Sequence, residues 1–206
     1  MGQSTMERPE FVYFDLGNVL LYFDHGIAAR SMAKLIGVEP EEIKRLVFDS
    51  EFQLAYERGD LTSQEFTAIL SEKFKKEIPI DELMVAAADI FVPNMHMLPV
   101  LEKIRSLKIP MGLLSNTCDA HWSWILKMGY PQLKDWFDPL VLSFEVKMMK
   151  PEPEIYHLCA ELAEIHPEAI FFTDDRHENI QGAIDAGWNA AVFTSADRLM
   201  DTVNTW

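Results

Sequence analysis

Phe11-Val12-Tyr13-Phe14-Asp15-Leu16-Gly17-Asn18-Val19-Leu20-Leu21 is the stretch on which the fold turns. Four apolar residues, Phe11 to Phe14, read as a buried strand. Gly17 and Asn18 are residues that tolerate the sharp turn needed after it. Asp15 therefore belongs at the carboxyl end of a central strand, the edge at which open α/β sheets bind ligands.

Downstream, the hydrophobic period changes. A helix is expected from Asp24 to Ile36, stopped by Gly37, and another opens at Pro40 with Ile43, Leu46 and Val47 on one face. Phe52 to Arg58 reads as a helix closed by Gly59, Thr62 with Glu65 as a capping box, and Ile80 to Phe91 as a further helix. No β-rich run separates these segments, so residues 23–94 are expected to form a helical bundle inserted into the chain. Residues 1–9 read as a tail, and residues 10–22 and 95–206 as one α/β core.

From Pro99 onward strands and helices alternate. Strands are expected at Met111–Leu114, Leu140–Leu142, Ala169–Thr173 and Ala190–Phe193. Helices are expected over Val100–Leu107, Trp122–Met128, Pro151–Leu162 and Ala196–Val203, with one carrying Ile180, Ala183 and Ile184 toward the sheet. Such alternation implies a Rossmann-like parallel sheet covered on both faces.

In a parallel sheet all strand ends point to one side, so groups distant in sequence converge. Asp15, the loop Ser115-Asn116-Thr117, a lysine at 147 or 150, and the pair Asp174-Asp175 all fall at such ends. Three carboxylates offer hard oxygen ligands to Mg²⁺, and adjacent Asp174 and Asp175 repel one another unless a cation or solvent relieves them. A lysine with Ser115 or Thr117 suits phosphoryl oxygens, and a carboxylate serves as a nucleophile. Asn179, four residues past Asp175, is placed to hold a metal-bound water. Arg58 is placed to meet a distal anion or sugar oxygen of a substrate.

These motifs, taken together, resemble the haloacid-dehalogenase-like (HAD) hydrolase superfamily. F-D-L-G-N-V-L from Phe14, L-L-S-N-T from Leu113, M-K-P-E-P-E-I-Y from Met149 and F-F-T-D-D-R-H-E-N-I-Q-G-A from Phe171 follow the order of its four motifs. The likeness is to the phosphatase branch with a helical cap after the first strand, and to bacterial glucose-1-phosphate phosphatases within it. The resemblance favours Lys150 over Lys147. It implies Asp15 as nucleophile and Mg²⁺ ligand, Asp174 and Asp175 as further ligands, and the Gly17 carbonyl facing the metal. Ser115 and Lys150 would hold the transferring phosphoryl group, and residues 23–94 would cap the site. The implied activity is hydrolysis of a small phosphorylated metabolite, with sugar phosphates as the candidate class, through an aspartyl-phosphate.

One position departs from the pattern. The aspartate that usually stands two residues after the nucleophile is replaced by Gly17. Asp24 is the first substitute acid and base, because resembling sequences carry an aspartate there; His25 and Glu57 are others. The departure keeps two alternatives open: a slow or noncatalytic phosphate- or partner-binding protein, and a 2-haloacid dehalogenase.

The composition sets outer bounds. The chain has 206 residues, 49% of them apolar, and a net charge of −15, which argues against a nucleic-acid surface or an anionic membrane as partner. Its two cysteines, Cys118 and Cys159, match no metal or redox spacing, and no signal segment or membrane span is read, so a cytoplasmic setting is expected. The sequence leaves monomer and homodimer equally open.

Overall fold

Phe11 to Phe14 form strand β1, and all four side chains are buried. A strand buried on both faces needs a layer on each side. The computed structural model describes residues 8–130, 133 and 135–206; residues 1–7, most of the expected tail, lie outside the described residues. β1 is the middle of a five-stranded sheet with Met111–Ser115 (β4), Leu140–Leu142 (β5), Ile170–Asp174 (β6) and Asn189–Val192 (β7), in the order β5-β4-β1-β6-β7. Every pairing in it is parallel, with Phe14 level with Leu113 on one side and Thr173 on the other.

The two-residue period of β1 sorts its side chains between two cores. Val12 and Phe14 join Met111, Leu113 and Phe171 beneath helices α6 (Leu98–Ser106), α7 (Asp119–Met128) and α11 (Ala196–Val203). Phe11 and Tyr13 face α9 (Pro153–Ala163) and α10 (His177–Asp185), packing with Ile155, Tyr156 and Ala183. Tyr13 also donates from its hydroxyl to the Cys159 carbonyl at 2.8 Å, which satisfies its polar end within that core.

Between the first strand and the rest of the sheet lie α1 (His25–Ile36), α2 (Pro40–Ile43), a π-helical turn (Lys44–Phe48), α3 (Glu51–Glu57), α4 (Ser63–Phe74) and α5 (Ile80–Ala88). Gly37 ends α1 in the left-handed conformation, and Thr62 with Glu65 makes the expected capping box of α4. Met32, Ile43, Val47, Phe66, Leu70 and Leu83 give this block its own apolar cluster. Phe52 and Tyr56 each stack on Phe66 at 4.7 Å, so the two aromatics pack the bundle.

Two expectations need correction. Residues 23–94 are not wholly helical: α5 stops at Ala88, and Phe91–Pro93 (β3) pairs antiparallel with Leu21–Phe23 (β2). Such three-residue strands carry no readable period and exist because distant segments meet. The helix expected to open at Pro151 begins at Pro153, with Glu152 at its N-cap.

The end of α3 is attached to the α/β core at three points. Arg58 forms a bidentate pair with Glu152 at 2.6 and 2.9 Å. Ser143, at the start of α8 (Ser143–Val146), donates to the Glu57 carbonyl at 2.6 Å. Gly59 has φ +78°, and a Cβ there would lie 2.2 Å from the Phe144 carbonyl oxygen. Gly59→Ala adds left-handed strain to a backbone clash, so it is expected to cost at least about 2 kcal/mol, read as a lower urea midpoint with unchanged slope.

Candidate active site

Three strand ends carry the site. Asp15 follows β1, Ser115 ends β4 and Asp174 ends β6, so the parallel register alone sets them side by side. Lys150 arrives from the segment before α9, and its course is set by Asn116. The Asn116 amide donates to the Lys150 carbonyl and accepts from the Lys150 N–H, both at 2.9 Å. The ammonium then reaches Asp15 Oδ1 at 2.7 Å, Asp174 Oδ2 at 2.6 Å and the Leu114 carbonyl at 2.9 Å. All three of its protons are used, and its side chain is 1% exposed. Lys147, the competitor by spacing, instead ends α8 in the left-handed conformation.

Asp174 is completely buried, and it accepts from the Asn179 amide at 2.9 and 3.1 Å and from the Arg176 N–H at 2.8 Å. Asn179 therefore fixes Asp174 directly, where a water-holding role near Asp175 was expected. Asp175 is held by the Asn18 amide at 2.9 Å, and Asn18 itself takes the left-handed conformation at φ 54°. The turn thus rests on Asn18, and position 17 is marked by the close approach of Phe23. A Cβ there would lie 2.7 Å from Cε1 of Phe23.

The electrostatics follow from this burial. Desolvation disfavours the Lys150 ammonium, but Asp15 and Asp174 overcome it and hold its pKa above the ordinary lysine range. Desolvation likewise pushes the Asp15 carboxyl upward; Lys150 opposes the shift and Asp174 reinforces it. One ammonium faces three carboxylates whose oxygens lie within 4.8 Å of one another. Two negative charges are left unmatched, and all the donors are hard oxygens, so the residues fit a small divalent cation such as Mg²⁺.

Above these groups lies a cavity of about 140 Å³. That is below the usual range for drug-sized ligands and admits a phosphoryl group with a small remainder. Asp15, Gly17, Ser115, Asn116, Thr117, Lys150, Asp175 and Asn179 all line it, so the structure brings together most of the residues singled out in the sequence. Asp24 and Arg58 are not among them. Asp24 caps α1, accepting from the Gly26 N–H at 2.7 Å, and faces solvent near Arg30. Arg58 commits its guanidinium to Glu152. Leu16, Asn18, Glu57, His25 and four residues not singled out, Phe23, Phe91, His121 and Arg176, complete the lining. Arg176 was readable as the neighbour of the aspartate pair; His121 carried no signal beyond its place on the helix after Thr117.

Comparison with known proteins agrees with this geometry. The haloacid dehalogenase-like hydrolase family model matches residues 10–187, and the chain belongs to that family. It is 26% identical over 183 residues to D-ribitol-5-phosphate phosphatase of Bacteroides thetaiotaomicron, an alignment covering 86% of this chain and 88% of that protein. It is 28% identical over 116 residues to a phosphorylated carbohydrates phosphatase of Thermotoga maritima, covering 56% and 52% of the two chains. A HAD family enzyme of B. thetaiotaomicron, solved with magnesium and inorganic phosphate, superposes with a TM-score of 0.78 at 32% identity, covering 89% of this chain and 93% of that one. L-2-haloacid dehalogenase of Xanthobacter autotrophicus shares the fold, with a TM-score of 0.64 at 18% identity over 89% of this chain and 77% of that one.

The two cavity histidines make a prediction. Burial, with His25 nearby, lowers the His121 pKa to about 4 from the ordinary histidine value of 6.5. Between these values the unfolded chain binds a proton that the folded chain refuses. Stability from this group is complete above pH 6.5, falls as pH drops toward 4, and changes no further below that. The loss approaches about 3 kcal/mol. Denaturant titrations at pH 7 and pH 4 are expected to show a smaller acid loss in His121→Asn than in the unsubstituted protein, by most of that amount.

Proposed function

We propose that this chain is a Mg²⁺-dependent phosphatase of small phosphomonoesters, of the sugar- or alditol-phosphate class, acting through an aspartyl-phosphate on Asp15. The observation that carries the reading is the Lys150 ammonium shared between Asp15 and Asp174 at the floor of the cavity. That arrangement fixes Asp15 through Oδ1 at the cavity wall and sets the Lys150 charge beside the position a phosphoryl group would take. Ser115 and Thr117 line the same wall and would donate hydroxyl hydrogen bonds to the phosphoryl group. The relatives named as carbohydrate phosphatases and the neighbour solved with magnesium and phosphate support the substrate class and the metal.

Asp15, Asp174, Asp175 and the Gly17 carbonyl would hold Mg²⁺. A cation held there would favour the ionised form of Asp15 and offset charge on the phosphoryl oxygens. The chain's own groups do the remainder. Asp15 attacks phosphorus, Lys150 neutralises the equatorial oxygens, and Asn116 keeps Lys150 in register. Residues 23–94 act as the cap that excludes bulk water and limits the substrate's size.

The test is turnover of small sugar and alditol phosphates and of 4-nitrophenyl phosphate with and without Mg²⁺. Activity is expected only with the metal, and Asp15→Asn is expected to lower kcat at least about 10³-fold while Mg²⁺ still raises the Tm. Metal-independent turnover, or halide release from 2-haloacids in place of phosphate release, would overturn the reading.

A further inference from the structure

We propose that Glu57, carried by the helical insert, is the general acid and base of the reaction and stands in for the carboxylate missing at Gly17. This rests on the phosphatase reading above. The vacancy at position 17 is filled by Phe23, whose ring comes within 2.7 Å of where a Cβ would be and packs against His25 and Phe91 at 4.9 and 6.0 Å. No acid can reach the leaving group from that turn. Asp24 is turned to solvent by its cap to Gly26. His25 and His121 lie among aromatic rings, and burial lowers both their pKa values, so neither stores a proton near neutral pH.

Glu57 has the opposite character. It lines the same cavity as Asp15, Ser115 and Thr117. One carboxyl oxygen accepts from the Gln53 amide at 2.6 Å; the other has no hydrogen-bond partner among the described residues. Its backbone is held by the Ser143 hydroxyl, and its successors Arg58 and Gly59 are fixed on Glu152 and Phe144. The carboxyl therefore approaches the cavity from a docked segment. Ser143 also accepts from the Thr117 N–H at 2.9 Å, which ties that segment to the loop after β4. Burial raises the Glu57 pKa against the pull of Gln53, Arg176 and Lys150, as a proton donor requires.

The chemistry balances. As Asp15 attacks phosphorus, the bond from phosphorus to the ester oxygen breaks, and that oxygen takes the Glu57 proton to leave as an alcohol. Glu57, now a carboxylate, removes a proton from water as the water oxygen attacks the aspartyl-phosphate. The bond from phosphorus to Asp15 breaks, phosphate leaves, and both carboxyls return to their starting states.

General-acid help matters only for poor leaving groups. Glu57→Gln is expected to lower kcat/KM, which reports the first half-reaction alone, on an alkyl phosphate such as ribitol 5-phosphate by about 10²–10⁴-fold. On 2,4-dinitrophenyl phosphate, whose phenolate leaves unprotonated, kcat/KM is expected to stay within about threefold of the unsubstituted enzyme, while kcat falls on both esters because the shared aspartyl-phosphate has lost its base. Equal losses of kcat/KM on both esters, or no loss on the alkyl ester, would overturn the assignment. Independently of any variant, the unsubstituted enzyme is expected to show a shallow dependence of kcat/KM on leaving-group pKa across alkyl and aryl phosphates, and a steep one would overturn it as well. An unsubstituted enzyme inactive on every ester would overturn the phosphatase reading and this assignment together, whereas activity with a flat response to Glu57→Gln overturns this assignment alone.

Discussion

A lysine ammonium almost wholly removed from water, with its three protons on Asp15, Asp174 and the Leu114 carbonyl, is the constraint on which the rest of the site depends. An isolated charge at that depth would be neutralised rather than kept. Here two carboxylates overcome the desolvation of the ammonium, and Asn179 and the Arg176 N–H share the load on Asp174. The Phe172 ring, 5.4 Å from the ammonium, closes the shell from below. Because the carboxylates outnumber the lysine, the cluster is balanced enough to fold and still short of positive charge. That remaining imbalance gives a divalent cation a reason to bind beside Asp175.

The same cluster ties the helical insert to the sheet. Asn116 sets Lys150, Thr117 contacts Ser143, and Ser143 holds the end of α3. The Arg58–Glu152 pair reinforces the link one residue further on, and Glu152 also accepts from the Met149 N–H beside Lys150. This pair is about one-third exposed on each side, so its value lies in geometry more than in free energy. The small cavity follows from this close docking, with aromatic rings of the β2–β3 ribbon forming part of its roof.

Much of this was legible in the chain. The run Phe11 to Phe14, the alternation after Pro99, and the Thr62 and Gly37 signals foretold the parallel sheet and the helices around it. Asp15, Ser115, Asp174 and Asp175 could be picked out because strand ends in a parallel sheet share one edge, and Lys150 because its motif resembles the family's third. Two other residues are engaged by partners that spacing did not reveal, one local and one distant in sequence. Asp24 looked available until its neighbour Gly26 was seen to hold it, and Arg58 looked free until Glu152 arrived from 94 residues away. β2 and β3 were invisible because each is three residues long and stable only through the other.

Local pattern by itself determined the class of fold, the order of the elements and the chemical types gathered at the sheet's edge, since those follow from period, turn residues and strand direction. Tertiary structure alone decided how Lys150 is held between Asp15 and Asp174, what packs beside Gly17, and that Glu57 faces the cavity while Arg58 turns away. Each of these depends on a contact between segments that sequence spacing does not relate. Phe23 occupies the volume beside Gly17, and Ser143 and Glu152 set the rotation at the end of α3, so packing assigned these roles after the strands had assembled the site.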